Sequence, residues 1–257
     1  MAFRSLDFQH IARFNSSTSS TLLDRYSDFV DKQILEEYNE PTSKTFAPSN
    51  FRCDRRCWFR LRGVQPDRPE KGDQVLNFTA RIGEACHTLV QSNLSKMLGE
   101  DWIDVEEYLK SIDFPYEYKV TKDGFETKVE ILKPYPIKFA CDGIIRLNGK
   151  YYLLEIKSSE YKAFDELIDI KPHHRDQIEF YSSILKLEDV IVIYIDRQYG
   201  NLKCYEHHIP EYKQRAIFEK MDDILKRVES NIAPDRLPSN DPFCNGCLYK
   251  VKCKQWG

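Results

Sequence analysis

Apolar residues recur along this chain in two rhythms, one near every third or fourth residue and one at every second, and the changes between them outline its elements. A helix is predicted over Thr21 to Glu37, closed by Asn39-Glu40-Pro41. A second follows from Arg81 to Met97, where Ile82, Ala85, Leu89 and Leu94 recur at helical spacing before Gly99 ends the run. Glu117 to Val120 and Phe125 to Leu132 flank Lys122-Asp123-Gly124 as a hairpin, and Pro134 and Pro136 break the chain after it. Residues 136–159 then carry two β-rich runs parted by Asn148-Gly149, the strongest short-range hairpin signal. Beyond them, His173 to Leu187 reads as a helix, Val190 to Ile195 as a fully buried strand and Tyr212 to Ser230 as a helix. Strands alternating with helices around a central hairpin predict an α/β sandwich.

The hairpin brings charged groups together. If Asn148-Gly149 is a two-residue type I′ loop, Leu147 faces Lys150, and five steps outward Asp142 lies opposite Glu155. Alternation puts Lys157 on the same face as Glu155. Directly opposite side chains stand ~4.5–5.5 Å apart at Cβ, so like charges there repel. The other positions, Ile144, Ile145, Leu153, Leu154 and Ile156, are apolar, and a carboxylate pair in such company needs a cation to neutralise it. Oxygen ligands suit Mg²⁺ or Mn²⁺, which polarise a phosphodiester and acidify water; Lys157 would orient the attacking water or stabilise transition-state charge. The alternative is a Glu155–Lys157 salt bridge on an exposed hairpin face, which the apolar neighbours disfavour.

Composition narrows the class. With 257 residues, 41% hydrophobic and 31% charged, the chain can bury a sizeable core. No apolar run reaches the ~18–20 residues of a bilayer span, and Met1 to Ser20 is polar without a hydrophobic signal core, so the expectation is a cytoplasmic protein with no membrane contact. Eight cysteines in such a chain are read as thiols or metal ligands rather than disulfides. The net charge of −3 argues against nonspecific polyanion binding by the whole surface, but Arg52, Arg55, Arg56, Arg60 and Arg62 cluster with Trp58 and Phe59 in a segment that also holds Cys53 and Cys57. The tail reads Cys244, two residues, Cys247, five residues, Cys253, and a CxxC pair curls naturally around one metal. Cys53 and Cys57 are the candidates for a fourth thiolate, because Cys86, Cys141 and Cys204 fall in regular elements where small thiols pack. Zinc and an iron–sulfur cluster are both open on these residues.

Asp142 followed after twelve residues by Glu155-Ile156-Lys157 resembles the D…(D/E)xK signature of the PD-(D/E)XK nucleases, with Cys141 where the family often has proline. Gln177 and Tyr181 are similar to the QxxxY motif of the RecB-like branch, and His87, in Gly83-Glu84-Ala85-Cys86-His87, to the histidine of its earlier helix. Cys53-Asp54-Arg55-Arg56 is similar to the branch's CPRR. One upstream cysteine with a CxxCx₅C tail resembles the 4Fe-4S arrangement of the CRISPR-associated adaptation nucleases, the AddB nuclease domain and related viral exonucleases. The resemblance covers residues 48–257, leaving 1–47 as a polar leader and helix.

It implies a restriction-endonuclease-like core, a mixed central sheet flanked by helices, with the chain's ends joined by a cluster on Cys53, Cys244, Cys247 and Cys253. His87, Asp142 and Glu155 would hold Mg²⁺ or Mn²⁺, with Glu84 a weaker, water-mediated candidate. Lys157, Gln177 and Tyr181 would complete the catalytic set. The implied activity is exonucleolytic hydrolysis of DNA at ends or in single strands, with Arg55, Arg56 and Arg60 tracking phosphates and Trp58 and Phe59 stacking on unpaired bases. Two rivals are a noncatalytic DNA-binding or adaptor module that keeps the fold and cluster, and a zinc-stapled interaction domain.

Overall fold

The computed structural model describes residues 20–70 and 72–256, and the polar leader lies outside them. The chain begins with α1 (Ser20–Asn39), α2 (Asp54–Leu61) and α3 (Gln74–Leu98). After β1 (Trp102–Ile103) and α4 (Val105–Ser111) come β2 (Glu117–Asp123), β3 (Glu126–Lys133), β4 (Ile137–Cys141), β5 (Gly143–Leu147) and β6 (Lys150–Ser159). The short α5 (Tyr161–Asp165) and α6 (Pro172–Leu185) cross over to β7 (Asp189–Asp196), followed by β8 (Leu202–His208), α7 (Glu211–Glu229) and α8 (Lys250–Gln255).

Two sheets result. The larger has the order β1-β5-β6-β7-β8, with β6 and β7 parallel and the other pairs antiparallel, so it is a mixed sheet. The smaller is the antiparallel β2-β3-β4. Asn148 and Gly149 both take positive φ, 51° and 79°, as a type I′ turn requires, and pairing runs from Leu147 with Lys150 out to Gly143 with Leu154. The first β-rich run is not one strand. It breaks at Asp142, before which it is β4 in the small sheet and after which it is β5 in the large one.

Helices cover both faces of the large sheet. On one, Val90, Cys86, Leu94 and Leu98 of α3 pack on Ile145, Leu154, Ile156, Ile191 and Ile195. On the other, alternate residues Leu153, Val190, Val192 and Tyr194 join the main core with Ile178 and Ile184 of α6 and Met221 and Ile224 of α7. The wholly buried aliphatic side chains among them, such as Leu153, Leu154, Ile156, Val190 and Val192, each contribute roughly 1.5–3 kcal/mol by leaving water. Phe46 belongs to this core and bridges to Ile137, two residues ahead of the expected boundary at 48.

Several expectations need correction. The helix anticipated from Arg81 starts at Gln74, capped by the Asp73 carboxylate accepting from Leu76 N at 2.8 Å. Three residues of its expected apolar stripe, Ile82, Ala85 and Leu89, face out and only Leu94 packs on the sheet, because the inward face carries Gly83, His87, Val90 and Gln91. Trp58 and Phe59, expected to stack on bases, are wholly buried. The Trp58 indole donates to Arg227 O at 3.1 Å, and the Phe59 ring stacks on Tyr249 at 5.2 Å, so the pair seals α2 against α7 and the tail. The edge strand β8 was not anticipated, since its residues alternate without a wholly apolar face.

Candidate active site

The break at Asp142 makes the site. Leaving one sheet for the other, the chain turns the Asp142 carboxylate toward the free edge of β6, where Oδ2 accepts from Ile156 N at 2.6 Å. Its other oxygen lies 3.2 Å from His87 Nδ1, and its backbone carbonyl accepts from Gln91 Nε2 at 2.8 Å. Gly83, His87 and Gln91 follow one another at four-residue spacing, so a single stripe of α3 meets the site. At Gly83 a Cβ would come within 2.9 Å of Ser158 Oγ, so the glycine lets α3 approach β6 closely. Gln91 was not singled out by sequence, although its position one turn after His87 is the signal that finds it.

Glu155 and Lys157 share the face of β6 that α6 covers. Pro172 at the first position of α6 and Lys186 in the left-handed region after it define the helix, and both Gln177 and Tyr181 point at the strand. Lys157 Nζ donates to Glu155 Oε1 and, at 3.0 Å, to Gln177 Oε1. Gln177 Nε2 donates to the Tyr181 hydroxyl at 3.2 Å, which donates to Ala140 O at 2.6 Å. A hydrogen-bonded chain therefore runs from the small sheet to the lysine. Glu155 is only 2% exposed, and burial pushes its carboxyl up to about 7 against the opposing pull of Lys157. Its Oε2 is buried without a hydrogen-bond partner.

A buried carboxylate oxygen with no donor, beside a second carboxylate and an imidazole, suits a hard divalent cation. In the structure the ligand atoms of His87, Asp142 and Glu155 do not all lie within 4.8 Å of one another. The one such set of three among the described residues, Glu188, Asp189 and His208, sits elsewhere, by the hairpin turn, where Lys150 Nζ lies 2.7 Å from Asp189. Glu84 is exposed on α3.

Cys53 immediately precedes α2 and lies close to the tail, near Cys247 and Cys253. Burial pushes its thiol up to about 11, and the Cys247 and Cys253 sulfurs beside it push the same way, as they do for Cys244. Cys57 points elsewhere. It is 1% exposed, packs in the main core, and donates to Asn50 O at 3.4 Å.

The three arginines expected at DNA divide. Arg55 is 5% exposed, with Nε donating to Pro234 O at 2.7 Å and Nη1 to Cys253 O at 3.2 Å, so it anchors the tail instead of meeting a strand. Arg60 donates to Thr45 O at 2.9 Å, and burial lowers its pKa. Arg56 is half-buried and borders a pocket beside the tail, its guanidinium 5.3 Å from the centre of the Phe243 ring.

No family model and no curated protein matches the chain. Among solved structures, an alkaline exonuclease from Laribacter hongkongensis, LHK-Exo, aligns at 12% identity and a TM-score of 0.44 over 76% of this chain and 93% of that one. The same exonuclease in complex with dAMP aligns at 14% identity with the same score and coverage. SSO0001 aligns at 21% identity and a TM-score of 0.51, covering 89% of this chain and 96% of that one, and the likeness is one of fold.

Proposed function

We propose that the chain is a divalent-metal-dependent deoxyribonuclease of the PD-(D/E)XK type, working as an exonuclease on DNA ends or single strands. The observation that carries this reading is the buried, unpartnered Glu155 Oε2 beside Asp142 and His87, with Lys157 held next to it. His87, Asp142 and Glu155 would hold Mg²⁺ or Mn²⁺, and when bound the ion polarises the phosphodiester and makes a nucleophile available near neutral pH. Lys157, fixed by Gln177, places positive charge where negative charge grows on the attacked phosphate. Asp142 also ties the edge of β6 through Ile156 N, between Glu155 and Lys157, which share one face of the strand.

The same reading places a 4Fe-4S cluster on Cys53, Cys244, Cys247 and Cys253, within a nuclease domain spanning 48–257. It is supported by the turning of Cys53 toward Cys247 and Cys253 and by the burial of Cys57 in the core. Among the described residues no helix is long and apolar enough to cross a membrane.

The test is cleavage of end-labelled single-stranded and duplex DNA with Mn²⁺, with Mg²⁺ and with EDTA. Metal-dependent release of mononucleotides or short products is expected. A folded protein with its cysteine site loaded that leaves both substrates intact in Mn²⁺ overturns the reading.

A further inference from the structure

With Trp58 and Phe59 inside the core, a platform for an unpaired base has to come from another aromatic residue. A pocket of about 510 Å³ opens between the start of α6, the start of α2 and the cysteine loop, lined by Arg52, Arg56, His173, Asp241, Phe243 and Gly246. We propose that this pocket receives one unpaired nucleotide of the strand presented to the candidate active site, Phe243 stacking on the base and Arg56 meeting a phosphate. The proposal rests on the nuclease reading above and deepens it by naming the substrate form.

Position comes first. Asp176, in the first turns of α6, accepts from Arg52 at 2.8 Å at the pocket wall, and the next residue, Gln177, accepts from Lys157 at 3.0 Å. One step along one helix therefore separates the pocket from the lysine of the candidate site. A nucleotide in it belongs to the strand being cut.

Charge and shape agree. Arg52 is occupied, bridging Asp176 and Asp241 at 2.8 and 3.2 Å, and this raises its pKa. Arg56 has no ion-pair partner among the described residues, and its buried Nε makes no hydrogen bond, so the pocket offers one uncommitted guanidinium. Phe243 is half-buried beside it, leaving an aromatic surface at the wall. An aromatic ring next to an arginine is what a base and its phosphate require, and stacking tolerates any base because each has a π face. The volume is that of a small-ligand site. Paired bases are not free to enter, so the pocket selects single strands or frayed ends.

The experiment uses the full chain carrying Asp142→Asn, which keeps the acceptor for Ile156 N, and a single-stranded oligonucleotide with one 2-aminopurine. Binding is followed by anisotropy and stacking by fluorescence quenching. Phe243→Leu is expected to abolish the quenching and weaken binding about tenfold, while Phe243→Tyr keeps both. Arg56→Gln is expected to weaken binding, keep the quenching and flatten the dependence of log affinity on log salt by about one. Parental affinity and quenching in Phe243→Leu, or an unchanged salt slope in Arg56→Gln, overturn the pocket. Cleavage by the chain with Asp142 intact is measured in parallel. Cleavage that occurs without any Phe243 dependence of binding sinks the pocket alone, and Phe243-dependent binding without cleavage sinks the nuclease reading alone.

Discussion

Replacing Tyr181 by phenylalanine removes one oxygen from the hydrogen-bonded chain that fixes Lys157. The ring is 4% exposed and packs edge-on against Phe139 at 5.5 Å, so the substitution keeps the packing and deletes only the hydroxyl. Ala140 O then loses a donor at 2.6 Å and Gln177 Nε2 loses its acceptor at 3.2 Å. Stripping the partner from a buried polar group costs about 1–3 kcal/mol, and a central value of about 2 kcal/mol lowers the Tm by roughly 4–8 °C in a chain of this size. The rate effect follows the same chain. Gln177 is released to rotate, Lys157 retains Glu155 as its one remaining anchor, and kcat is expected to fall by about tenfold or less with KM nearly unchanged, since Tyr181 positions a residue and does not contact substrate. Differential scanning calorimetry and Mn²⁺-dependent cleavage at saturating substrate measure the two parts. A Tyr181→Phe protein with parental Tm and parental kcat refutes the chain as a positioning device, and a selective rise in KM moves Tyr181 to the substrate.

Asp142→Asn and Lys157→Ala are each expected to abolish cleavage while circular dichroism and DNA affinity stay close to parental; cleavage at the parental rate in either would show the site to be misassigned. Burial raises the Glu155 carboxyl to about 7, so with metal chelated the folded state holds its proton at pH values where the unfolded chain has released it. The favourable contribution is complete below the ordinary carboxylate range and is lost as pH rises through about 7. Urea midpoints in EDTA should therefore favour Glu155→Gln over the parent more at pH 8 than at pH 5, and a pH-independent difference contradicts this. Anaerobically purified protein should be brown and carry iron and acid-labile sulfide. Cys53→Ser should lose the colour and melt early, and Cys57→Ser should keep it. The reverse pattern transfers the ligand to Cys57, and stoichiometric zinc in a colourless, active protein removes the cluster.

What the sequence determined by itself was local. The Asn148-Gly149 turn and two-residue alternation place Glu155 and Lys157 on one face of β6 and Asp142 at the matching height, because hairpin register depends only on the turn and on counting outward from it. Four-residue spacing likewise puts Gln177 and Tyr181 on one side of α6, whatever that helix packs against. Tertiary structure decided which faces are inside. Ile82, Ala85 and Leu89 of α3 turn to solvent while Gly83, His87 and Gln91 turn to the site, because the sheet edge at Asp142 offers polar partners that a helical pattern does not contain. The same holds for the segment after Cys53, where an interleaved run of arginines and aromatics reads as a nucleic-acid surface. In the fold, Trp58 and Phe59 become core against α7 and the tail, Arg55 becomes an anchor, and Phe243, nearly two hundred residues away, supplies the half-buried ring beside Arg56. Spacing along a chain encodes neighbours within an element; burial is set by elements far away in sequence, and their approach is what divides these residues between packing and chemistry.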